Sequence, residues 1–202
     1  MRWWPASRWA RLAAKLRRVG SAEEEERAFA LALAELARRE RTVAQILQLL
    51  VRRGVERGPA EGAVARLIGL GLLDDARYAR LFAEDRRTLH GWGSERIARA
   101  LAERGVERGL IARALGGEAV GGRAGGGGER IGWEDGGREA ELERALALLR
   151  RRFPQPPRGA RERNRALGIL VRKGFELELA RDALTAHAGA LPAEEWQDEP
   201  GP

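Results

Sequence analysis

The arginines of this 202-residue sequence are its main candidates for binding a partner, because guanidinium groups bind phosphates and carboxylates. The arginines cluster at Arg38-Arg39-Glu40-Arg41, Arg52-Arg53, Arg86-Arg87 and Arg150-Arg151-Arg152. With 37 basic and 30 acidic residues, the formal net charge is +7. A polyanion or an acidic protein surface is therefore a reasonable partner. The alternative is that these arginines form solvated helix faces and complement helix dipoles.

Residues that could support catalysis are sparse and have simpler structural explanations. Asp74 and Asp75 could ligate Mg²⁺ or act as an acid/base pair, but adjacent acids at a helix start more often cap it. His90 and His187 stand where a histidine complements a helix end. The glycine run at 125–128 lacks the Lys and Ser/Thr of a phosphate-binding loop. We therefore expect no catalytic residue, no metal and no cofactor.

Trp92 stands between two glycines, and this placement allows two interpretations. A turn that presents a large aromatic ring could bind a nucleobase or a partner protein. Packing between helices is the favoured interpretation, since buried aromatic side chains anchor small helical modules.

The composition excludes several classes of protein. The chain has no cysteine, so disulfides and thiolate metal sites are impossible, and a reducing cytoplasm is the expected location. No stretch approaches the roughly 20 apolar residues of a membrane span. The N-terminus alternates tryptophan with arginine and lacks the apolar region of a secretory signal.

A repeated helix ending organises the chain. Three segments share one pattern, beginning at Ile46, Ile97 and Ala166 and ending in a basic residue, glycine, an apolar residue and glutamate. Glycine would adopt the left-handed conformation just past the helix end, and the apolar residue would pack on the last turn. The glycines are Gly54, Gly105 and Gly174, the apolar residues that follow are Val55, Val106 and Phe175, and their packing partners are Leu50, Leu101 and Leu170.

Helix starts support the same division. Thr42 and Gln45 have capping-box spacing, Asp74 can cap a helix over 75–89, and Ser94 can cap a helix over 95–104. Long first helices are predicted at roughly 24–39, 75–89 and 139–152 from their apolar periodicity. No sustained alternation of apolar and polar residues predicts a strand.

We therefore predict an all-α protein of three tandem three-helix repeats that form an elongated, curved array. The predicted segments are a basic, Trp-rich N-terminal arm at 1–22, helical repeats at 23–72, 73–115 and 139–188, a Gly-rich flexible linker at 116–138, and an acidic disordered tail at 189–202.

Two stretches of the second repeat resemble the central signature of the RecX family, regulators of the RecA recombinase: Leu72-Leu-Asp-Asp-Ala-Arg-Tyr-Ala-Arg-Leu-Phe and Gly91-Trp-Gly-Ser-Glu-Arg-Ile-Ala-Arg-Ala-Leu-Ala-Glu-Arg-Gly-Val. Leu36-Ala-Arg-Arg-Glu-Arg-Thr is similar to the first-repeat motif, where the family commonly has His-Ser in place of Arg41 and Thr42. Arg165-Ala-Leu-Gly-Ile-Leu-Val-Arg-Lys-Gly-Phe is similar to the third. The arm at 1–22 and the insertion at 116–138 depart from the family pattern.

The resemblance implies a non-enzymatic regulator that binds in the groove of the RecA–single-stranded DNA filament. It would block filament growth and inhibit ATPase and recombinase activity, with roles in homologous recombination, DNA repair and the SOS response. Weak binding to single-stranded DNA, directly or within the filament, is also implied. We expect a monomer that does not bind membranes.

The expected contact face consists of exposed arginines. The central set is Arg77, Arg80, Arg86, Arg87, Arg96 and Arg99, extended by Arg38 and Arg39 in repeat one and by Arg150, Arg151 and Arg152 in repeat three. Tyr78, Phe82, Ile97 and Leu101 are expected in the core. Reversing Arg86 and Arg87 to glutamate should abolish inhibition and leave helical circular dichroism unchanged.

The alternative function is a helical DNA-binding protein, similar to a transcription factor, that acts directly on nucleic acid. Short helix-turn-helix units and a high positive charge permit it. The helices after Gly54, Gly105 and Gly174 lack clusters of Asn, Gln and Arg that read base edges, which counts against it.

Overall fold

The computed structural model describes the backbone at residues 6–118, 132–133 and 135–189, and side chains at 20–116 and 137–189. This part of the chain holds nine α-helices in three successive groups of three, which confirms the predicted all-α class and tandem three-helix repeats. The helices are α1 (Ala6–Leu36), α2 (Val43–Arg52), α3 (Arg57–Gly69), α4 (Asp75–His90), α5 (Ser94–Ala102), α6 (Arg108–Leu115), α7 (Asp135–Arg152), α8 (Gly159–Lys173) and α9 (Leu177–Ala188).

Two predicted segments contain regular structure. Helix α1 begins at Ala6, inside the predicted N-terminal arm. Within the predicted linker, β1 (Gly117–Glu118) pairs antiparallel with β2 (Gly132–Trp133). No alternation of apolar and polar residues predicted these two-residue strands. Residues 119–131 and the predicted tail at 190–202 lie outside the described residues, so the linker and tail assignments remain predictions.

The described chain forms two compact units. The first holds residues up to Tyr78 together with Arg104–Val106, and the second holds Ala79–Glu103 and the described residues from Glu107 onward. In the first unit, α1, α2 and α3 enclose a core that includes Ala28, Ile46, Leu50 and Leu67. In the second unit, α7, α8 and α9 enclose a core that includes Leu149, Leu170, Phe175 and Leu179. Burial of these apolar side chains is the main force that holds each group of helices together.

The repeated helix ending has the predicted geometry. Gly54, Gly105 and Gly174 have φ angles of +78°, +75° and +88°, a region that only glycine enters without steric cost. The N–H of Val55 donates to the carbonyl oxygen of Leu50 at 3.1 Å, and the N–H of Phe175 donates to that of Leu170 at 3.1 Å. These bonds satisfy carbonyl groups that a helix end otherwise leaves unpaired.

Two of the three predicted helix starts are confirmed. Thr42 and Gln45 exchange both bonds of the capping box, at 3.2 and 3.3 Å. The Asp74 carboxylate accepts from the N–H groups of Ala76 and Arg77 at 2.9 and 3.0 Å. The prediction for Ser94 is wrong, because Gly93 is the N-cap of α5 and Ser94 is its first residue. The Ser94 hydroxyl instead donates to a buried carboxylate.

Candidate functional site

Trp92 lies in the turn between α4 and α5, and the guanidinium groups of two arginines lie over its ring. The guanidinium carbon of Arg96 lies 4.0 Å from the centroid of the Trp92 ring, and that of Arg86 lies 5.5 Å from it. Arg86 also lies 4.7 Å from the centroid of Phe82. Each contact is a cation–π interaction, which restrains the arginine and leaves its N–H groups able to donate. We call Phe82, Arg86, Trp92 and Arg96 the Trp92 cluster.

Further positive charge surrounds the Trp92 cluster. Lys173 at the end of α8 donates from Nζ to the carbonyl oxygen of His90 at 2.7 Å. Arg96 donates to the carbonyl oxygen of Arg172 at 3.3 Å. Asp85 supplies an opposing charge, 2.5 Å from Arg86. Two arginines and a lysine make this surface suited to an anionic group, either a phosphate or a carboxylate.

Close packing of α8 on α5 fixes the position of Arg96. The N–H of Gly93 donates to the carbonyl oxygen of Lys173 at 2.8 Å, and the N–H of Glu95 donates to that of Gly174 at 3.1 Å. A Cβ atom at Gly174 would stand 2.3 Å from the Cβ of Arg96, so only glycine fits there. The end of one helix thereby positions a predicted contact residue on the start of another.

Arg87 is half-buried and donates to groups within the second unit. Its Nη2 donates to the carbonyl oxygen of Leu115 at 3.0 Å and to the hydroxyl of Ser94 at 3.4 Å, while its Nε is buried without a hydrogen-bond partner among the described residues. Burial, and then the charge of Arg144, lower the pKa of Arg87. Arg87 therefore uses its Nη2 group within the fold, and its part in the contact face stays a prediction.

Glu141 of α7 is the acceptor at the centre of this network. Its side chain is 2% exposed and accepts from the N–H of Ser94 at 2.7 Å, from the Ser94 hydroxyl at 2.9 Å, and from Arg144. Glu141 is not among the residues predicted from the sequence. The available signal was its spacing, since Glu141 precedes Ala145 and Leu149 on the buried stripe of α7.

The other predicted contact arginines are exposed. They are Arg38, Arg39, Arg77, Arg80, Arg96, Arg99, Arg150, Arg151 and Arg152. Two of them already form ion pairs, Arg39 with Glu35 and Arg77 with Glu40, each at 2.8 Å. Of the predicted set, the structure brings Arg86 and Arg96 together on one aromatic ring.

The predicted core residues divide into two groups. Ile97 and Leu101 are fully buried, as expected. Tyr78 and Phe82 are half-buried, which corrects their assignment to the core. Phe82 contributes its ring to Arg86, and Tyr78 lines a cavity of about 190 Å³ in the first unit. The other lining residues include Leu36, Glu40, Arg41, Leu72, Asp74 and Arg77.

Asp75 links α4 to the start of α2 within the first unit. Its carboxylate accepts from the N–H of Val43 at 2.9 Å. Burial raises the pKa of Asp75, the bond from Val43 lowers it in part, and the charge of Asp74 raises it further. The side chain therefore acts as a helix-start acceptor, and among the described side chains no group of three or more His, Cys, Asp or Glu residues could hold a metal ion.

Comparisons with known proteins identify the family. Residues 74–115 match the model of the RecX second three-helix domain, and residues 139–184 match that of the third. The regulatory protein RecX of Halorhodospira halophila is 35% identical over 185 residues, which cover 91% of this chain and 97% of that protein. The chain belongs to the RecX family. The regulatory protein RecX of Mycobacterium avium is 31% identical over 169 residues, covering 82% of this chain and 87% of that protein.

Solved structures show the same fold. The crystal structure of RecX from Lactobacillus salivarius superposes with a TM-score of 0.65 at 17% identity, covering 84% of this chain and 99% of that one. A second crystal structure, of a regulatory protein RecX, superposes with a TM-score of 0.61 at 21% identity, covering 84% and 75% of the two chains. In the described residues of this RecX-family chain, no helix is long and apolar enough to cross a membrane.

Proposed function

We propose that this protein regulates a RecA-type recombinase by binding its filament on single-stranded DNA. In this proposal the bound protein blocks filament growth and so inhibits ATP hydrolysis and recombinase activity. The protein acts by binding alone, as a cytoplasmic monomer, and carries out no catalysis. Membership of a family of regulatory proteins supports the regulatory role.

The observation that carries the proposal is the Trp92 cluster. Stacking on Trp92 restrains Arg86 and Arg96 before any partner arrives, so less side-chain entropy is lost on binding. Arginine and tryptophan are also the residue types that contribute most binding energy at protein interfaces. Arg86 and Arg96 are therefore the residues we assign to the centre of the contact surface, with Lys173 beside them.

The remaining exposed arginines are further contact residues in the proposal. Arg80 and Arg99 lie on the same two helices as the cluster, and Arg150, Arg151 and Arg152 form the last turn of α7. Arg38, Arg39 and Arg77 belong to the first unit. Arg39 and Arg77 would exchange their present carboxylate partners for those of the filament, so they contribute less than Arg86 and Arg96.

The test is a titration of the protein into a preformed RecA–single-stranded DNA filament while ATP hydrolysis is followed. Inhibition well below one molecule per recombinase protomer supports binding that caps or disassembles the filament. Unchanged hydrolysis, with the protein folded, contradicts the proposal. Binding to naked DNA with a steep salt dependence and a sequence preference would instead favour direct action on nucleic acid.

A further inference from the structure

Two of the three repeated helix endings cover the start of another helix. In the first unit, the carbonyl oxygen of Arg104 accepts from the hydroxyl of Thr42, the N-cap of α2, at 2.6 Å. Gly105 lies directly on Ala44, since a Cβ atom at Gly105 would stand 2.3 Å from the Ala44 methyl carbon. The motif that follows α5 thus packs on the first turn of α2.

The motif that follows α8 makes the same kind of contact within the second unit. The carbonyl oxygens of Lys173 and Gly174 accept from the N–H groups of Gly93 and Glu95 at the start of α5. Helix ends expose unpaired carbonyls, helix starts expose unpaired N–H groups, and their partial charges are opposite. Glycine permits the close approach in both places. The pairing therefore satisfies two helix termini at once.

The motif that follows α2 has the same sequence pattern, but among the described residues no helix start packs on it. Gly54 has the same left-handed conformation, with φ of +78°, and no described atom lies within 4 Å of where its Cβ would stand. Arg52 and Arg53 are exposed, and Val51 is 56% exposed. We call Val51–Gly54 the α2 end. Buried Leu50 and Val55 hold it with the same backbone bond that Leu170 and Phe175 make at the covered end of α8.

We propose that the α2 end docks on the N-terminal turn of an α-helix in the recombinase protomer that the protein contacts. This inference rests on the proposed function and adds a contact that the arginines of α4 and α5 do not supply. By analogy with Ala44 and Thr42, the receiving turn carries a small residue near its start and an N–H or hydroxyl donor. Acidic residues, which helix starts favour, would face Arg52 and Arg53.

A second copy of the chain is the other occupant to consider, and charge counts against it. The equivalent helix start in the third repeat is that of α8, where the exposed residues include Arg158, Arg161 and Arg163. Its Glu162 accepts from the N–H of Arg158 at 2.8 Å. Docking there would bring the arginines of the α2 end against three more arginines. An acidic helix start in the recombinase is the better match.

The test compares two asparagine variants of the full chain. Asparagine tolerates the left-handed conformation, so G54N fills the space that the receiving helix must enter at little cost to folding. Gly159 is the matched control, because its φ is +74° and nothing lies within 4 Å of its Cβ position. Binding to a RecA–single-stranded DNA filament should weaken about tenfold in G54N, as expected when a close interface is overfilled. It should be unchanged in G159N.

Three outcomes overturn the inference in distinguishable ways. If G54N binds the filament as tightly as the wild-type protein, the docking contact is refuted and the proposed function is unaffected. If the wild-type protein does not bind the filament, both the docking contact and the proposed function are refuted. Self-association of the wild-type protein that G54N and G159N both abolish assigns the contact to a second copy. Should G54N fold poorly, R53E replaces it, with R113E as its control, since both are exposed arginines near a helix end.

Discussion

Replacing Glu141 with alanine should lower the stability of the second unit substantially. The Glu141 carboxylate is 2% exposed and accepts both hydrogen bonds that Ser94 offers. It also opposes the charges of Arg144 and of the half-buried Arg87. Alanine would leave a buried N–H and a buried hydroxyl without an acceptor, and Arg87 with less compensation for its burial.

The size of the effect follows from these contacts. Removing one partner of a buried charged pair costs about 3–5 kcal/mol, and each orphaned buried donor costs about 1–3 kcal/mol. Arg144 is 32% exposed and can turn to water, and water can enter the space that alanine leaves, so we take the lower end, about 3 kcal/mol. For a chain of this size that corresponds to a fall in Tm of roughly 6–12 °C.

The assay is thermal unfolding followed by circular dichroism at 222 nm, with E141A beside E143A. Glu143 is exposed on the same helix, so its replacement should change stability by no more than about 0.5 kcal/mol. E141Q keeps an acceptor for Ser94 but loses the charge, and its Tm should fall between those of E141A and the wild-type protein. Equal Tm values for E141A and E143A would refute the structural role of Glu141.

Three further predictions concern other parts of the molecule. The R86E/R96E double reversal should abolish inhibition of filament ATP hydrolysis with far-UV circular dichroism unchanged, and retained inhibition or lost helix would count against the assigned surface. Burial raises the pKa of Asp75, so its protonated form favours the fold, and its stabilising effect is lost as pH rises through the folded pKa. The wild-type protein should therefore gain Tm relative to D75N as the pH falls from 7 toward about 4, and a constant difference would exclude this linkage. G174A should lower the free energy of unfolding by about 3 kcal/mol, because backbone strain adds to a collision 2.3 Å from the Arg96 Cβ. G54A should lower it by about 1–2 kcal/mol, from backbone strain alone. Equal Tm values for the two variants would contradict the packing of α8 on α5.

Helix ends were predictable from the sequence because the interactions that make them are local. The Thr42 capping box joins residues three positions apart, and the Val55 bond to Leu50 joins residues five apart. Residue type and spacing alone specify such contacts. Their repetition at Gly54, Gly105 and Gly174 gave the tandem architecture as well.

The buried network was not predictable from the same signals. Ser94 has the residue type and position of an N-cap, but Glu141, which is 47 residues away, takes its hydroxyl and N–H. Arg87 follows Arg86 in a typical surface cluster and both are half-buried, yet Arg86 lies on aromatic rings whereas Arg87 donates to Ser94 and Leu115. Adjacent helical residues point in different directions, so a cluster in sequence is not a cluster in space.

Trp92 illustrates how the two interpretations of one residue can combine. The sequence favoured packing between helices over binding. In the structure its ring is half-buried and also stacks with Arg86 and Arg96. A residue that packs on one side can organise a charged surface on the other, and the sequence alone does not show which arginines it selects.

The most direct test of the central claim compares the protein's affinity for the RecA–single-stranded DNA filament with its affinity for the same DNA strand alone. Because the chain contains no cysteine, an E143C variant accepts one fluorescent label at an exposed position outside the proposed surface. Fluorescence anisotropy at one fixed salt concentration then gives both dissociation constants. The account predicts binding to the filament at least about tenfold tighter than to the strand. Equal affinity for the filament and the strand would contradict it.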